Sequence, residues 1–286
     1  MKYSYYFVLL IVALAFNSCK EDEPIPAYIK IDAIDLTTDI YTEGWDTENI
    51  KDAWIYIDNE LIGVYELPAE FPVLDEGSTT VSIGPGIFLN GISATRTPYP
   101  FYRFSDNTVN LVPENTTTIS PTVTYFSNLN FPWIEDFEST GFNMTPTSAS
   151  DTVMTQIFGS SNTNVEYGNG AAYIALDTVN SFFEIESDNK YVLPQDNSPV
   201  FLEIDYKSTI PFTVGVFAFQ PNYTDQVPIV VVNPKDEWNK IYIELAFTLS
   251  DFPSANDFSF FIGTFLSNDL TFGEVYIDNI KLVYGN

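Results

Sequence analysis

The chain has 286 residues, of which 39 are Asp or Glu and 11 are Lys or Arg, so its formal net charge is −28 at pH 7. That charge argues against nucleic acid and anionic lipid headgroups as partners. Histidine is absent and Cys19 is the only cysteine, which excludes Ser-His and Cys-His nucleophile pairs. The number of Asp and Glu residues is compatible with a glycosidase that uses a pair of carboxylates. In a chain this acidic, however, most carboxylates lie on solvated faces, so the sequence predicts a non-enzymatic protein.

The N-terminus has the pattern of an export signal. Lys2 is followed by an apolar run from Tyr6 to Phe16, shorter than the roughly 20 residues of a transmembrane helix, and then by Cys19. This pattern resembles a bacterial lipoprotein signal, which implies removal of residues 1–18 and covalent lipid on Cys19. The acidic run that follows resembles the surface-export signal of Bacteroidota lipoproteins: Lys20, Glu21, Asp22 and Glu23. The resemblance implies a lipid-anchored protein of the outer membrane that faces the cell exterior.

The remaining chain is long enough for two domains of ordinary size. Its apolar residues recur in short alternating runs instead of at helical spacing, so the predicted fold class is all-β, with two β-sandwich domains. After a tether at residues 19–27, the predicted domains are 28–127 and 128–286.

In the first domain, period-two alternation predicts a strand at Tyr28–Ile34 and a hairpin that turns at Asp58-Asn59-Glu60. The hairpin resembles those of small surface-layer β-modules of the PEGA kind, which implies an immunoglobulin-like sandwich. Strands at 71–74 and 79–83 follow, and Gly84-Pro85-Gly86 is predicted to break the β pattern. The last strand of the domain is predicted at Ile119–Phe126.

Residues 87–104 have no clean period, and they contain both arginines of the chain among aromatic residues and prolines. Arginine and aromatic side chains are typical anchors of protein interfaces. We therefore expect this stretch to bind a partner protein through Arg96, Tyr99, Phe101, Tyr102 and Arg103. The alternative is that the rings fill the core of the sandwich while the arginines pair with nearby acids.

The second domain is predicted to contain strands about ten residues apart without a helical segment between them, which indicates a sandwich or jelly roll. These strands are predicted at 171–176, 181–186, 201–207, 212–219, 238–247, 258–265 and 275–283.

Two motifs at the ends of this domain, Asp136-Phe137-Glu138 and Tyr276–Leu282, resemble those of jelly-roll carbohydrate-binding modules. The resemblance implies a jelly roll whose first and last strands lie side by side. It also implies a structural Ca²⁺ held by Asp136, Glu138 and Asp278, and oxygen ligands suit calcium. Alternatively, these acids face solvent beside Lys281.

A glycan-binding module would expose aromatic rings that stack on sugar faces. The candidate rings are Tyr167, Tyr173, Tyr223 and Trp238, although most aromatic residues in such a domain belong to the core.

Two functions follow from these features. The favoured one is a non-enzymatic surface lipoprotein that serves as a binding or structural subunit of an outer-membrane protein complex, for example in β-barrel assembly or nutrient uptake. It is favoured because the distinctive residues 84–104 lie outside the jelly-roll resemblance. The alternative is a glycan-binding lipoprotein that captures polysaccharide through the jelly roll.

Overall fold

The computed structural model describes residues 24–159 and 162–285, so Cys19 and the predicted export signal lie outside the described residues. Regular structure in these ranges is almost entirely β-strand, which confirms the predicted all-β class. No helix in the described ranges is long and apolar enough to cross a bilayer.

The strands fall into two groups, which we call the N-terminal half (residues 24–128) and the C-terminal half (residues 129–285). The strands of the N-terminal half are β1 (Ala27–Ile31), β2 (Asp35–Leu36), β3 (Asp52–Ile57), β4 (Glu60–Glu66), β5 (Ala69–Val73), β6 (Gly77–Phe88), β7 (Arg96–Pro98), β8 (Ser105–Leu111), β9 (Thr116–Ile119) and β10 (Thr122–Val123). The elements of the C-terminal half are β11 (Leu129–Glu135), β12 (Met144–Pro146), β13 (Thr155–Phe158), β14 (Gly170–Asp177), β15 (Phe182–Ser187), β16 (Val200–Ser208), β17 (Phe212–Phe219), β18 (Thr224–Val232), β19 (Lys235–Glu244), the helix α1 (Ala246–Ser250), β20 (Asp257–Phe265) and β21 (Phe272–Gly285).

The N-terminal half contains a sheet ordered β5-β1-β9, a sheet ordered β4-β3-β6-β7 with β8 also on β6, and the pair β10-β2. The predicted hairpin is present as β3 and β4. Asp58 and Asn59 have positive φ angles of 50° and 63°, which is the conformation of a two-residue turn that matches the strand twist. The immunoglobulin-like assignment and the boundary at residue 128 stay predictions.

The predicted break at Gly84-Pro85-Gly86 is wrong, because β6 continues through it to Phe88. The glycines serve close packing instead of a turn. A Cβ on Gly84 would come within 2.7 Å of the Phe104 ring, and one on Gly86 within 2.7 Å of the Trp54 indole nitrogen. The single strand predicted at Ile119–Phe126 is not present, since β9 ends at Ile119 and β10 covers only Thr122–Val123.

The C-terminal half is a sandwich of two antiparallel sheets. The inner sheet is ordered β13-β14-β21-β16-β19, with β11 also on β21, and the outer sheet is ordered β12-β15-β20-β17-β18. The first and last strands, β11 and β21, therefore lie side by side, as the resemblance implies. A continuous apolar core lies between the sheets and includes Phe183, Ile204, Val214, Phe260 and Ile277.

The other face of the inner sheet packs against the N-terminal half. Phe201, Tyr242 and Val283 belong to the same buried cluster as the N-terminal residues Ile29 and Ile83. Both faces of the inner sheet are thus buried in this region, whereas the outer sheet has one open face.

Candidate functional site

The three rings predicted to bind a partner lie inside the interface between the halves. Tyr99, Phe101 and Tyr102 are buried. The ring centroid of Tyr99 lies 5.0 Å from that of Phe201 and 4.8 Å from that of Tyr242. The structure corrects the prediction for these rings, because their burial against the inner sheet leaves no surface for another protein.

The two arginines make contacts within the chain. Arg96 pairs with the buried Asp52 and, at 2.9 Å, with Glu66. Arg103 donates to the Tyr125 carbonyl at 3.4 Å and to Ser127 Oγ at 3.2 Å. For Arg96, these contacts agree with the alternative expectation that the arginines pair with nearby acids. Arg103 is exposed, and its role as a partner anchor stays a prediction.

Charged side chains are buried where the inner sheet meets the N-terminal half. Glu203 accepts hydrogen bonds from Tyr99 OH at 2.7 Å and from Tyr125 OH at 2.8 Å. Lys240 Nζ lies 3.2 Å from Glu203 Oε2 and 3.4 Å from Asp205 Oδ1. Lys281 donates to the Trp45 carbonyl. Buried charges require such partners, so this network joins the two halves.

Asp278 of the predicted calcium site lies directly across from Asp205 in the register of β21 and β16. Each of these carboxyls has a buried Oδ2 without a hydrogen-bond partner in residues 24–159 and 162–285. Burial, followed by the charges of Asp205, Glu138 and Asp136, raises the pKa of Asp278 to about 9. Asp278 is therefore neutral at pH 7.

Two of the three predicted calcium ligands accept hydrogen bonds from backbone amides, and the calcium site stays a prediction. Asp136 Oδ1 accepts the Glu138 amide at 3.1 Å. Glu138 Oε1 accepts the amides of Asn169 at 2.7 Å and Gly170 at 3.0 Å. Within the described part of the chain, no group of three or more His, Cys, Asp or Glu side chains is arranged to hold a metal ion. These oxygens serve backbone amides, and a cation would have to compete with them.

The structure brings two of the four predicted glycan-binding rings together. Tyr167 and Trp238 line the same cleft between the halves. Tyr173 lies elsewhere on the inner sheet, where its hydroxyl donates to Glu274 at 2.7 Å and its ring centroid lies 5.0 Å from that of Tyr276. Tyr223 lies on the other sheet, in the turn between β17 and β18, and is 58% exposed.

A second concave surface, which we call the groove, lies on the open face of the outer sheet and encloses about 310 Å³. Strand register explains its composition, because Phe182 is opposite Phe265 and Glu184 is opposite Gly263 across β15 and β20. The lining residues are Phe182, Glu184, Thr213, Gln226, Pro228, Phe261, Gly263, Thr264 and Phe265.

Gly263 gives the groove its depth. A Cβ at this position would be in ordinary van der Waals contact with the Phe183 carbonyl oxygen at 3.6 Å and with Glu184 Oε2 at 3.7 Å, so the glycine leaves the space beside the Glu184 carboxylate free. An apolar side chain, Phe265, and a polar one, Glu184, both line the groove near this glycine. Phe265 is 65% exposed, whereas the buried Glu184 accepts from Thr147 Oγ1 at 2.9 Å and from Gln226 Nε2 at 2.6 Å.

The groove was not identified from the sequence. Its signal is the period-two spacing of Phe182 with Glu184 and of Gly263 with Phe265, which places each pair on one face of a strand. That spacing does not reveal which face is open, because the answer depends on which strands become neighbours and on what covers them.

No protein-family model and no curated protein matches this sequence. Similar solved structures include TmCBM61 in complex with β-1,4-galactotriose (11% identity, TM-score 0.33), which covers 52% of this chain and 92% of its own. The family 11 carbohydrate-binding module of a Clostridium thermocellum cellulase has 15% identity and a TM-score of 0.35. The match covers 55% of this chain and 95% of the module. The enzymatically active domain of tailspike protein 4 from bacteriophage CBA120 has 13% identity and a TM-score of 0.39, and the match spans 51% of this chain and about a fifth (20%) of the tailspike chain. With TM-scores below 0.5, these similarities do not bear on the ligand or activity of this chain.

Proposed function

We propose that this protein is a non-catalytic carbohydrate-binding protein whose groove holds the glycan. The observation that supports this most strongly is the combination, in one groove, of the exposed Phe265 ring with the hydrogen-bonded Glu184 and Gln226. A sugar has an apolar face of C–H groups and a rim of hydroxyls. The ring would stack on the former, and the carboxylate and amide would bind the latter.

The composition of the groove also supports binding without hydrolysis. Glu184 is the one carboxylate in its lining. Glycoside hydrolysis typically requires a pair of carboxylates on opposite sides of the scissile bond. The groove therefore offers hydrogen bonds to a sugar but not the acid and base that would cleave it.

The experiment that tests this proposal is affinity electrophoresis of the protein in gels that contain soluble neutral polysaccharides, such as xylan, mixed-linkage glucan or galactan. We expect at least one polysaccharide to retard the wild type. We expect Phe265→Ala to weaken that binding about tenfold, roughly 1.4 kcal/mol, because the substitution removes the exposed ring that would stack on the sugar.

The matched control is Phe247→Ala, which removes another largely exposed ring, on α1 and outside the groove lining. We expect this variant to bind as the wild type does. Failure of every polysaccharide to retard the wild type, or equal weakening by the two substitutions, would contradict the proposal.

We further propose that the protein is anchored to the outer membrane, on its exterior side, through lipid on Cys19. This part rests on the lipoprotein-like N-terminus alone. Cys19→Ala is expected to abolish fatty-acid labelling and to release the protein from the membrane fraction, since the acyl chains supply the membrane affinity. Persistent labelling, or an unchanged membrane fraction, would count against the anchor. Replacing Glu21, Asp22 and Glu23 with neutral residues should keep the lipid but reduce protease access on intact cells.

The role as a subunit of an outer-membrane protein complex was suggested by residues 84–104. Because Tyr99, Phe101 and Tyr102 fill the interface between the halves, this stretch no longer favours that role over glycan binding.

A further inference from the structure

The cleft that contains Tyr167 and Trp238, called here the seam cleft, has a composition unlike that of the groove. It encloses about 480 Å³ and is lined by residues from both halves, among them Lys51 from the N-terminal half and Lys235 from the C-terminal half. This volume lies in the range of sites for small molecules, roughly 300–1,000 Å³. The two lysines also line an adjoining cavity of about 140 Å³, so they stand where the two spaces meet.

Lys51 and Lys235 differ from the other basic residues of the described chain. Across residues 24–159 and 162–285, neither forms an ion pair or a side-chain hydrogen bond. The other basic side chains in these ranges each have an acid, a hydrogen-bond acceptor or an aromatic ring as a partner: Lys30, Arg96, Arg103, Lys190, Lys207, Lys240 and Lys281. In a chain with 39 acidic residues, two ammonium groups that form no direct ion pair and line one cleft are suited to an anionic group that comes from outside.

Aromatic rings lie in the same cleft. Tyr167 and Trp238 contribute them. Such rings are suited to a ligand that has an apolar ring face.

The acidic residues of the seam cleft restrict the charge of that ligand. Glu48, Asp236 and Glu237 also line it, and the charge of Lys51 acts on the Glu48 carboxyl. A densely charged anion would be repelled by these carboxylates. A ring with one negative charge and several hydroxyls would satisfy both sets of groups, because hydroxyls donate to carboxylates while the charged group binds the lysines.

We propose that the seam cleft is a second carbohydrate site and that it binds acidic saccharides, with the carboxylate of a uronic acid between Lys51 and Lys235 and the sugar ring against Tyr167 and Trp238. The saccharide nature of the ligand rests on the proposed function, whereas the charge selectivity rests on the two lysines. The protein would then hold a neutral glycan in the groove and an acidic one in the seam cleft.

The test is isothermal titration calorimetry of the full chain with trimers of galacturonate, mannuronate and guluronate, each compared with its carboxyl-reduced, neutral form. We expect at least one acidic trimer to bind about tenfold more tightly than its reduced form. Lys51→Gln combined with Lys235→Gln should abolish this preference. The matched control, Lys30→Gln with Lys190→Gln, makes the same change in net charge elsewhere and should retain it.

Several outcomes would overturn the inference. These are equal affinity for acidic and reduced trimers, no binding of any acidic trimer, retention of the preference in the Lys51/Lys235 variant, or equal displacement by free sulfate, which would indicate an adventitious ion only. Phe265→Ala separates this inference from the proposed function, because it should weaken the neutral glycan in the groove and leave the acidic trimer unaffected. Thermal melting of each variant checks that it is folded.

Discussion

Glu203→Ala is expected to lower the free energy of unfolding by about 3–5 kcal/mol, which is the usual cost of removing one partner from a buried ion pair. Glu203 is 0% exposed and accepts hydrogen bonds from the hydroxyls of Tyr99 and Tyr125 beside Lys240. Alanine would leave both hydroxyls without an acceptor and would remove one of the two carboxylates that balance Lys240. Urea denaturation followed by circular dichroism measures the change.

The control is Glu66→Ala, which removes a carboxylate from the exposed side of the Arg96 ion pair. An exposed pair contributes at most about 1 kcal/mol, so this variant should unfold almost as the wild type does. A loss below about 1 kcal/mol for Glu203→Ala would mean that the charge network does not hold the two halves together as described.

Asp278→Asn is expected to stabilise the protein at neutral pH, which is unusual for a buried position. The folded-state pKa of Asp278 is raised to about 9 from an ordinary value of 3.8. Between these two values, the unfolded chain releases a proton that the folded chain keeps, so folding becomes less favourable as pH rises through this window. Asparagine does not titrate, and its carbonyl oxygen can still accept the Asn279 amide as Asp278 Oδ1 does.

We therefore expect the gain in unfolding free energy from Asp278→Asn to be about 2–4 kcal/mol larger at pH 7 than at pH 4. Denaturant melts at both pH values measure it. Asp177→Asn is the contrasting control, because hydrogen bonds from the amides of Asn180 and Val179 lower the pKa of this exposed carboxyl, and its replacement should give no gain at pH 7. If Asp278 instead held calcium, Asp278→Asn would lower stability, and chelator would lower the melting temperature of the wild type alone.

Much of the fold can be predicted from the sequence, because the alternation of apolar and polar residues indicates which side chains share one face of a strand. Along β16, Leu202, Ile204 and Tyr206 point to the sandwich core, as their period-two spacing predicts. The same spacing places Glu203 and Asp205 on the opposite face, which would ordinarily be solvated. That face is buried because the N-terminal half covers it, and no local pattern contains this information.

The candidate sites were predicted only in part for the same reason. Tyr167 and Trp238 are distant in sequence, and they share a cleft because the β13–β14 connection and β19 both approach the N-terminal half. The aromatic composition of residues 99–102 is typical of a protein interface. These residues do form an interface, but it joins the two halves of a single chain. Composition identified the chemistry of these residues, and long-range packing decided where it is used.

The most direct test of glycan binding in the groove is an NMR titration of the isotope-labelled protein with a neutral oligosaccharide from the polysaccharide that retards it most strongly. We expect amide shift changes to cluster at Phe182–Glu184 in β15, at Gly263–Phe265 in β20 and at Gln226 in β18, the strands that form the groove. Shift changes that cluster instead around Tyr173 or Tyr223, or their absence at saturating oligosaccharide, would contradict the assignment of the groove as the glycan site.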